Sequence, residues 1–119
     1  VNRNLLLLQS IDVDIARLRR ELNSIVPDGN GIELHNGTSR RIEQLEAQRI
    51  KVSLRIPKDL LSSYDLRKKV IKAPWVARLE KQACASCQAR LPTRMVFELL
   101  SQGVARPCPG CSRLVVSAD

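Results

Sequence analysis

Apolar residues near the start of the chain recur at alternating spacings of three and four: Leu8, Ile11, Ile15, Leu18, Leu22 and Ile25. This is the a/d repeat of a coiled-coil seam, with Asp12, Arg17, Arg19 and Arg20 lying off it. Asp12 and Asp14 precede the arginines, the polarity that a helix dipole favours. Pro27-Asp28-Gly29-Asn30-Gly31 predicts a break. So short a seam does not hold a helix alone in water, and it needs a partner. The chain supplies one. After Asn36-Gly37-Thr38-Ser39, which reads as a turn with candidate N-caps, helical periodicity resumes at Ile42, Leu45, Val52 and Ile56. Arg49 takes one position of this second seam and marks either a weakness or a contact. Pro57 interrupts, and Asp59, Leu60, Leu61, Tyr64 and Ile71 predict a further helical stretch reaching Lys72.

Beyond Pro74 the pattern changes. Trp75-Val76-Ala77-Arg78-Leu79 predicts a strand, Thr93 to Gln102 a short helix stopped by Gly103, and Leu114-Val115-Val116 another strand. The four cysteines of the chain all lie in this region, as Cys84-x2-Cys87 and Cys108-x2-Cys111 with twenty residues between the pairs. Two Cys-x-x-Cys loops that aim at one point match the spacing of a four-thiolate zinc site. Cys108-Pro109-Gly110-Cys111 suits a tight turn, because proline fixes φ and glycine tolerates unusual angles. A closed shell of four thiolates leaves no position for substrate, so one structural Zn2+ is expected on Cys84, Cys87, Cys108 and Cys111, and no catalysis. Two disulfides would need an oxidising compartment, and a thioredoxin-like motif would need one Cys-x-x-Cys rather than two. Four-thiolate iron uses the same ligand types as zinc.

The expected fold class is therefore mainly α: an antiparallel coiled-coil hairpin over residues 1–72 and a small β-rich zinc ribbon over 73–119. Composition fits. There is one Phe, one Tyr and one Trp, so Leu, Ile and Val supply the apolar mass, as helical seams require. Leu5-Leu6-Leu7-Leu8 is far too short to span a bilayer, which predicts a cytoplasmic protein. The formal charge is +8, and from Leu66 onward ten basic residues face three acidic ones. Arg67, Lys68, Lys69, Lys72, Arg90, Arg94, Arg106 and Arg113 are the candidate contacts for an acidic protein or for nucleic acid, though a run such as Arg67-Lys68-Lys69 also reads as a solvated helix end. His35, the sole histidine, falls in the polar turn and is no ligand. Asn36-Gly37-Thr38 matches a glycosylation acceptor but reads as turn chemistry.

Three segments together carry a resemblance: Leu8-Gln9-x-Ile11-Asp12-x-x-Ile15-x-x-Leu18; Ile56-Pro57-x-x-Leu60-Leu61-x-x-Tyr64; and Cys84-x2-Cys87 followed by Leu91-Pro92 and Cys108-Pro109-x-Cys111-x-Arg113-Leu114. In this order they resemble the bacterial family of coiled-coil proteins with a C-terminal C4-type zinc ribbon. The resemblance implies a non-enzymatic protein, associated with the sigma-N factor of RNA polymerase and with flagellar or secretion-system gene expression. It also implies the four cysteines as zinc ligands. Some members of that family have been proposed to bind nucleic acid, which is the alternative function here. Two features depart from the family. Its coiled coil is much longer than 72 residues, which, with Val1 in place of Met, predicts a shortened or incomplete chain. Val115-Val116 stands where an aromatic is common.

Overall fold

The computed structural model describes residues 2–24 and 30–117, and the side chains of these apart from 30–34. Two long helices, α1 (Asn2–Ser24) and α2 (Asn30–Ser53), lie side by side. Their ion pairs fix the direction: Asp12 meets Arg49 and Arg19 meets Glu46, so the helices run antiparallel. The seam is where the periodicity predicted it. Leu8, Ile11 and Ile15 of α1 and Ile42, Leu45 and Val52 of α2 are buried, Leu18 and Leu22 are half-buried, and Ile25 lies outside the described residues. Leu5, fully buried, extends the seam one turn earlier than the heptads suggested. Truncating Leu8 to Ala is expected to destabilise the protein by about 3 kcal/mol, through lost transfer energy and the cavity left behind, measured by urea denaturation. A change below about 1 kcal/mol would mean that the seam repacks around the gap.

Two sequence expectations are corrected. Asn36-Gly37-Thr38-Ser39 is not a turn, and His35 is not in one: all five residues lie inside α2, which starts at Asn30. A glycine in a helix costs about 1 kcal/mol, little enough for a long helix seated further along on Ile42, Leu45 and Val52 to run through it. The break expected at Pro27-Asp28-Gly29 lies outside the described residues, while Asn30 and Gly31, assigned to it, are already helical.

Helix α3 (Lys58–Val70) begins after Pro57 and α4 (Thr93–Gln102) after Pro92. Both prolines sit at φ near −57° and ψ near 142°, extended backbone that turns directly into the helix. Gly103, at φ 63°, caps α4 in the left-handed conformation. Four short strands, β1 (Val76–Glu80), β2 (Ala83–Cys84), β3 (Arg106–Pro107) and β4 (Leu114–Val116), form one sheet in the order β2-β1-β4-β3. β1 and β4 are parallel, with Val76 opposite Leu114, Ala77 opposite Val115 and Arg78 opposite Val116; both outer pairings are antiparallel.

Alternation along β1 and β4 sends side chains to two different cores. Val76, Leu114 and Val116 join Leu5, Leu8, Ile11, Tyr64 and Trp75 in the helical core. Ala77 and Val115 face the other way, into a second core with Leu91, Val96, Leu99, Cys84 and Cys108. All three residues of β4 are therefore buried, as expected for a strand covered on both faces.

Side chains of α1 stitch the helices to the sheet. The Oε1 of Gln9 accepts from the amides of Trp75 and Val76 at 2.7 and 2.6 Å, and its Nε2 donates to the Val76 carbonyl at 3.2 Å. The Gln9 amide thus occupies the hydrogen-bonding edge that a neighbouring strand would otherwise take. Asn2 donates from Nδ2 to the Ser117 hydroxyl at 3.2 Å.

Candidate metal centre

The two Cys-x-x-Cys loops have the same backbone wiring. In the first, the Cys84 amide donates to the Ala89 carbonyl at 3.0 Å and the Gln88 amide to the Cys84 carbonyl at 2.8 Å. In the second, the Cys108 amide donates to Arg113 at 2.8 Å and the Ser112 amide to Cys108 at 2.9 Å. Each loop turns on the residue just after its second cysteine, with Gln88 at φ 62° and Ser112 at φ 65°. Pro109 and Gly110 lie in the turn as the sequence predicted, with the Gly110 amide aimed at Cys108 Sγ, but the left-handed angle falls on a polar non-glycine in each loop rather than on Gly110. Gly110 also serves space: a Cβ there would lie 3.0 Å from Ala89 Cβ and 3.3 Å from Cys87 Sγ. Gly110 closes one loop onto the other. Gly110→Ala is expected to force the loops apart and weaken metal retention about tenfold or more, read by chelator competition; unchanged retention would show that the loops separate without strain.

The four sulfurs lie within 4.8 Å of one another. Across the loops, Cys84 Sγ is 3.8 Å from Cys111 Sγ and Cys87 Sγ is 3.6 Å from Cys108 Sγ. Zinc–sulfur bonds of about 2.3 Å at the tetrahedral angle place sulfurs about 3.8 Å apart, so the donor set fits that ion. A disulfide needs about 2.05 Å, and all four thiols are free. Amides point at the sulfurs: Ala89 N donates to Cys87 at 3.5 Å and Gly110 N to Cys108 at 3.4 Å. Such donors stabilise the thiolates a metal requires.

Cys84 and Cys108 are buried, Cys111 is half-buried and Cys87 is exposed, so the cluster has an inner and an outer edge. Burial pushes the Cys84 thiol up to about 12 and raises Cys108 as well. Burial also raises Cys111, but hydrogen bonds from Arg113 and from the Cys87 and Cys108 thiols outweigh it and bring Cys111 down to about 7.

Six of the eight basic candidates have partners within the protein. Arg67 turns inward, its Nε donating to the Ser112 carbonyl of the second loop at 2.6 Å and its Nη1 to Ser63. Arg113 donates to the Pro74 carbonyl at 2.7 Å. Lys68 pairs with the buried Asp12 at 3.1 Å, its ammonium 5.6 Å from the centre of the Trp75 ring. Arg94 and Arg106 both reach Glu98, at 3.5 and 3.3 Å, and Arg90 touches Gln82. Lys69 and Lys72 are exposed. The reading of Arg67-Lys68-Lys69 as a solvated helix end holds only for Lys69. Sequence reasoning also missed the Asp12 cluster, although Arg49 on an apolar seam was a sign of it.

The fold and the cysteine cluster define a class: a helical hairpin joined to a zinc-ribbon-like module with a metal-competent tetracysteine site. No family model matches the chain, and no curated protein matches it. Among solved structures it is similar to the HP0958 protein from Helicobacter pylori, at 17% identity over 98% of this chain and 73% of that one, with a TM-score of 0.47. Among the described residues no helix is long and apolar enough to cross a membrane.

Proposed function

We propose that the chain is a non-enzymatic adaptor whose four cysteines hold one structural Zn2+ and whose ribbon and helices bind a protein partner, the sigma-N factor of RNA polymerase, in the bacterial cytoplasm. The observation that carries this reading is the closure of four sulfurs from two matching loops around one point, at the spacing of a filled tetrahedral shell. Protein ligands then take every position on the metal, which shapes the fold and offers no site for a reacting group. The choice of partner comes from the resemblance to the family of coiled-coil proteins with a C-terminal zinc ribbon. The engagement of Arg67, Lys68 and Arg113 within the protein favours a protein partner over nucleic acid, because fewer cations remain to follow a phosphate backbone.

Two measurements test the reading. Elemental analysis of freshly purified protein is expected to give one zinc per chain; iron or no metal would overturn the cofactor. Titration of the zinc-loaded protein with purified sigma-N factor, and separately with duplex and single-stranded nucleic acid, is expected to give saturable binding only to the factor. Tight nucleic-acid binding without affinity for the factor would establish the alternative.

A further inference from the structure

Helix α4 carries an apolar stripe wider than the core it packs on. Val96 and Leu99 are buried, yet Phe97 and Leu100 on the flank of the same stripe are 66% and 65% exposed, while Arg94, Glu98, Ser101 and Gln102 make up the polar side. An exposed apolar pair that continues a buried stripe is a surface suited to being covered. Phe97 and Leu100 are three residues apart and lie side by side on the helix, with Arg94, three residues before Phe97, continuing the row. The Arg94 side chain is 92% exposed. From the adaptor reading and this face together, we propose that the outer side of α4 is the docking site for an acidic amphipathic segment of the partner protein.

Charge selects the occupant. Arg94 and Arg106 share a single carboxylate on this helix, Glu98. Two cations on one acid leave a positive balance beside the apolar pair, and a guanidinium fork matches a carboxylate in two-point contact. An aromatic flanked by arginine is the composition that dominates binding energy at protein interfaces. Single-stranded nucleic acid fits less well, because it needs successive aromatic platforms. Tyr64 and Trp75 are both in the core, which leaves Phe97 as the exposed aromatic, and Leu100 offers no ring. A second copy of this chain fits less well too, since a two-fold contact centred on Phe97 would set each Arg94 against Leu100 of the other copy, a cation against an apolar side chain.

The docking face is tied to the metal. Val96 and Leu99 pack in the core that contains Cys84 and Cys108, so the seat of α4 depends on the closed cysteine cluster. Zinc removal should abolish docking without touching any contact residue.

The test uses the full zinc-loaded chain, isotopically labelled, titrated in an NMR experiment with a synthetic peptide of about 18 residues, some five helical turns. The peptide carries leucines at three- and four-residue spacing among glutamates; a control carries lysines in place of the glutamates. The acidic peptide is expected to shift resonances of Arg94, Phe97 and Leu100, and the lysine peptide is not. Phe97→Ala is expected to weaken binding about tenfold with zinc content and helical signal unchanged, because the side chain is exposed. Arg94→Glu is expected to weaken the acidic peptide and admit the lysine one. Shifts centred elsewhere, no binding, equal binding of the two peptides, tighter binding of oligothymidylate, or dimerisation abolished by Phe97→Ala would each overturn the proposal. A parallel titration with sigma-N factor separates the two readings. Undiminished binding of the factor by Phe97→Ala protein overturns the docking face and leaves the adaptor standing. Peptide docking on α4 without affinity for the factor overturns the named partner and leaves the face.

Discussion

Removing the metal is expected to melt the sheet and α4 while much of the α1–α2 pair stays helical. A structural zinc site of this kind contributes on the order of 10–16 kcal/mol to folding, as much as or more than the whole stability of a small domain. The second core has little else to hold it: Ala77, Leu91, Val96, Leu99 and Val115 pack around Cys84 and Cys108 themselves. Chelator titration followed by far-ultraviolet circular dichroism and by the fluorescence of Trp75 reads both halves, since the single Trp sits between sheet and helices, 8% exposed. Cys84→Ser and Cys108→Ser should reproduce the effect. Acid should too, and the sign follows from the thiols. Burial holds Cys84 up at about 12 and raises Cys108, so in the metal-free protein both keep their protons at neutral pH. Metal binding must expel those protons, so affinity rises with pH and falls as acid competes for the sulfurs. An intact sheet after complete chelation would show that the apolar packing suffices without the ion.

The parts of this molecule legible in its sequence are those where one physical rule acts alone. Heptad spacing placed Leu8, Ile11, Ile15, Ile42, Leu45 and Val52 in one seam because helix periodicity and burial agree there. Gly103 marked the end of α4 because a left-handed cap favours glycine. The cysteine cluster was legible from spacing alone. What stayed hidden depends on contacts distant in sequence. Asn36-Gly37 has the composition of a turn, yet both residues lie within the helix that runs on into the buried positions Ile42, Leu45 and Val52. Gln88 and Ser112 take left-handed backbone that nothing in their side chains announces; the loop's hydrogen bonds to Cys84 and Cys108 impose it. Arg67, Lys68 and Arg113 read as free surface charge because their acceptors, the Ser112 carbonyl, Asp12 and the Pro74 carbonyl, lie dozens of residues away.

Replacing Asp12 with Ala is expected to destabilise the protein by about 3 kcal/mol, a large effect for one polar residue off the apolar seam. Its carboxylate is 4% exposed and joins three helices. It accepts from Arg49 Nε of α2 at 2.6 Å, and from the Tyr64 hydroxyl and Lys68 Nζ of α3 at 2.8 and 3.1 Å. Burial pushes the Tyr64 phenol well above its usual range, and the Asp12 charge pushes it further, so the hydroxyl stays a donor. Burial opposes the charge on Arg49, yet the hydrogen bond and charge of Asp12, with help from Asp65, more than offset it. Taking away the carboxylate leaves two cations and a phenol without their shared acceptor. Arg49 keeps Asp65 at 3.3 Å, but Lys68 and the Tyr64 hydroxyl lose their partner, which costs more than the pair contributed. The side chains of Arg49 and Lys68 are 27% and 30% exposed, so both retain some water, which holds the loss to the lower end of the range for buried pairs. Asp12→Asn keeps an acceptor and should cost less than Asp12→Ala. Tyr64→Phe, which deletes one hydrogen bond, should cost about 1 kcal/mol. Urea denaturation of the three variants, with Asp12→Ala/Arg49→Leu closing a cycle, measures the coupling directly. If the double variant loses the sum of the two single losses, Asp12 and Arg49 act independently and the cluster does not join the helices.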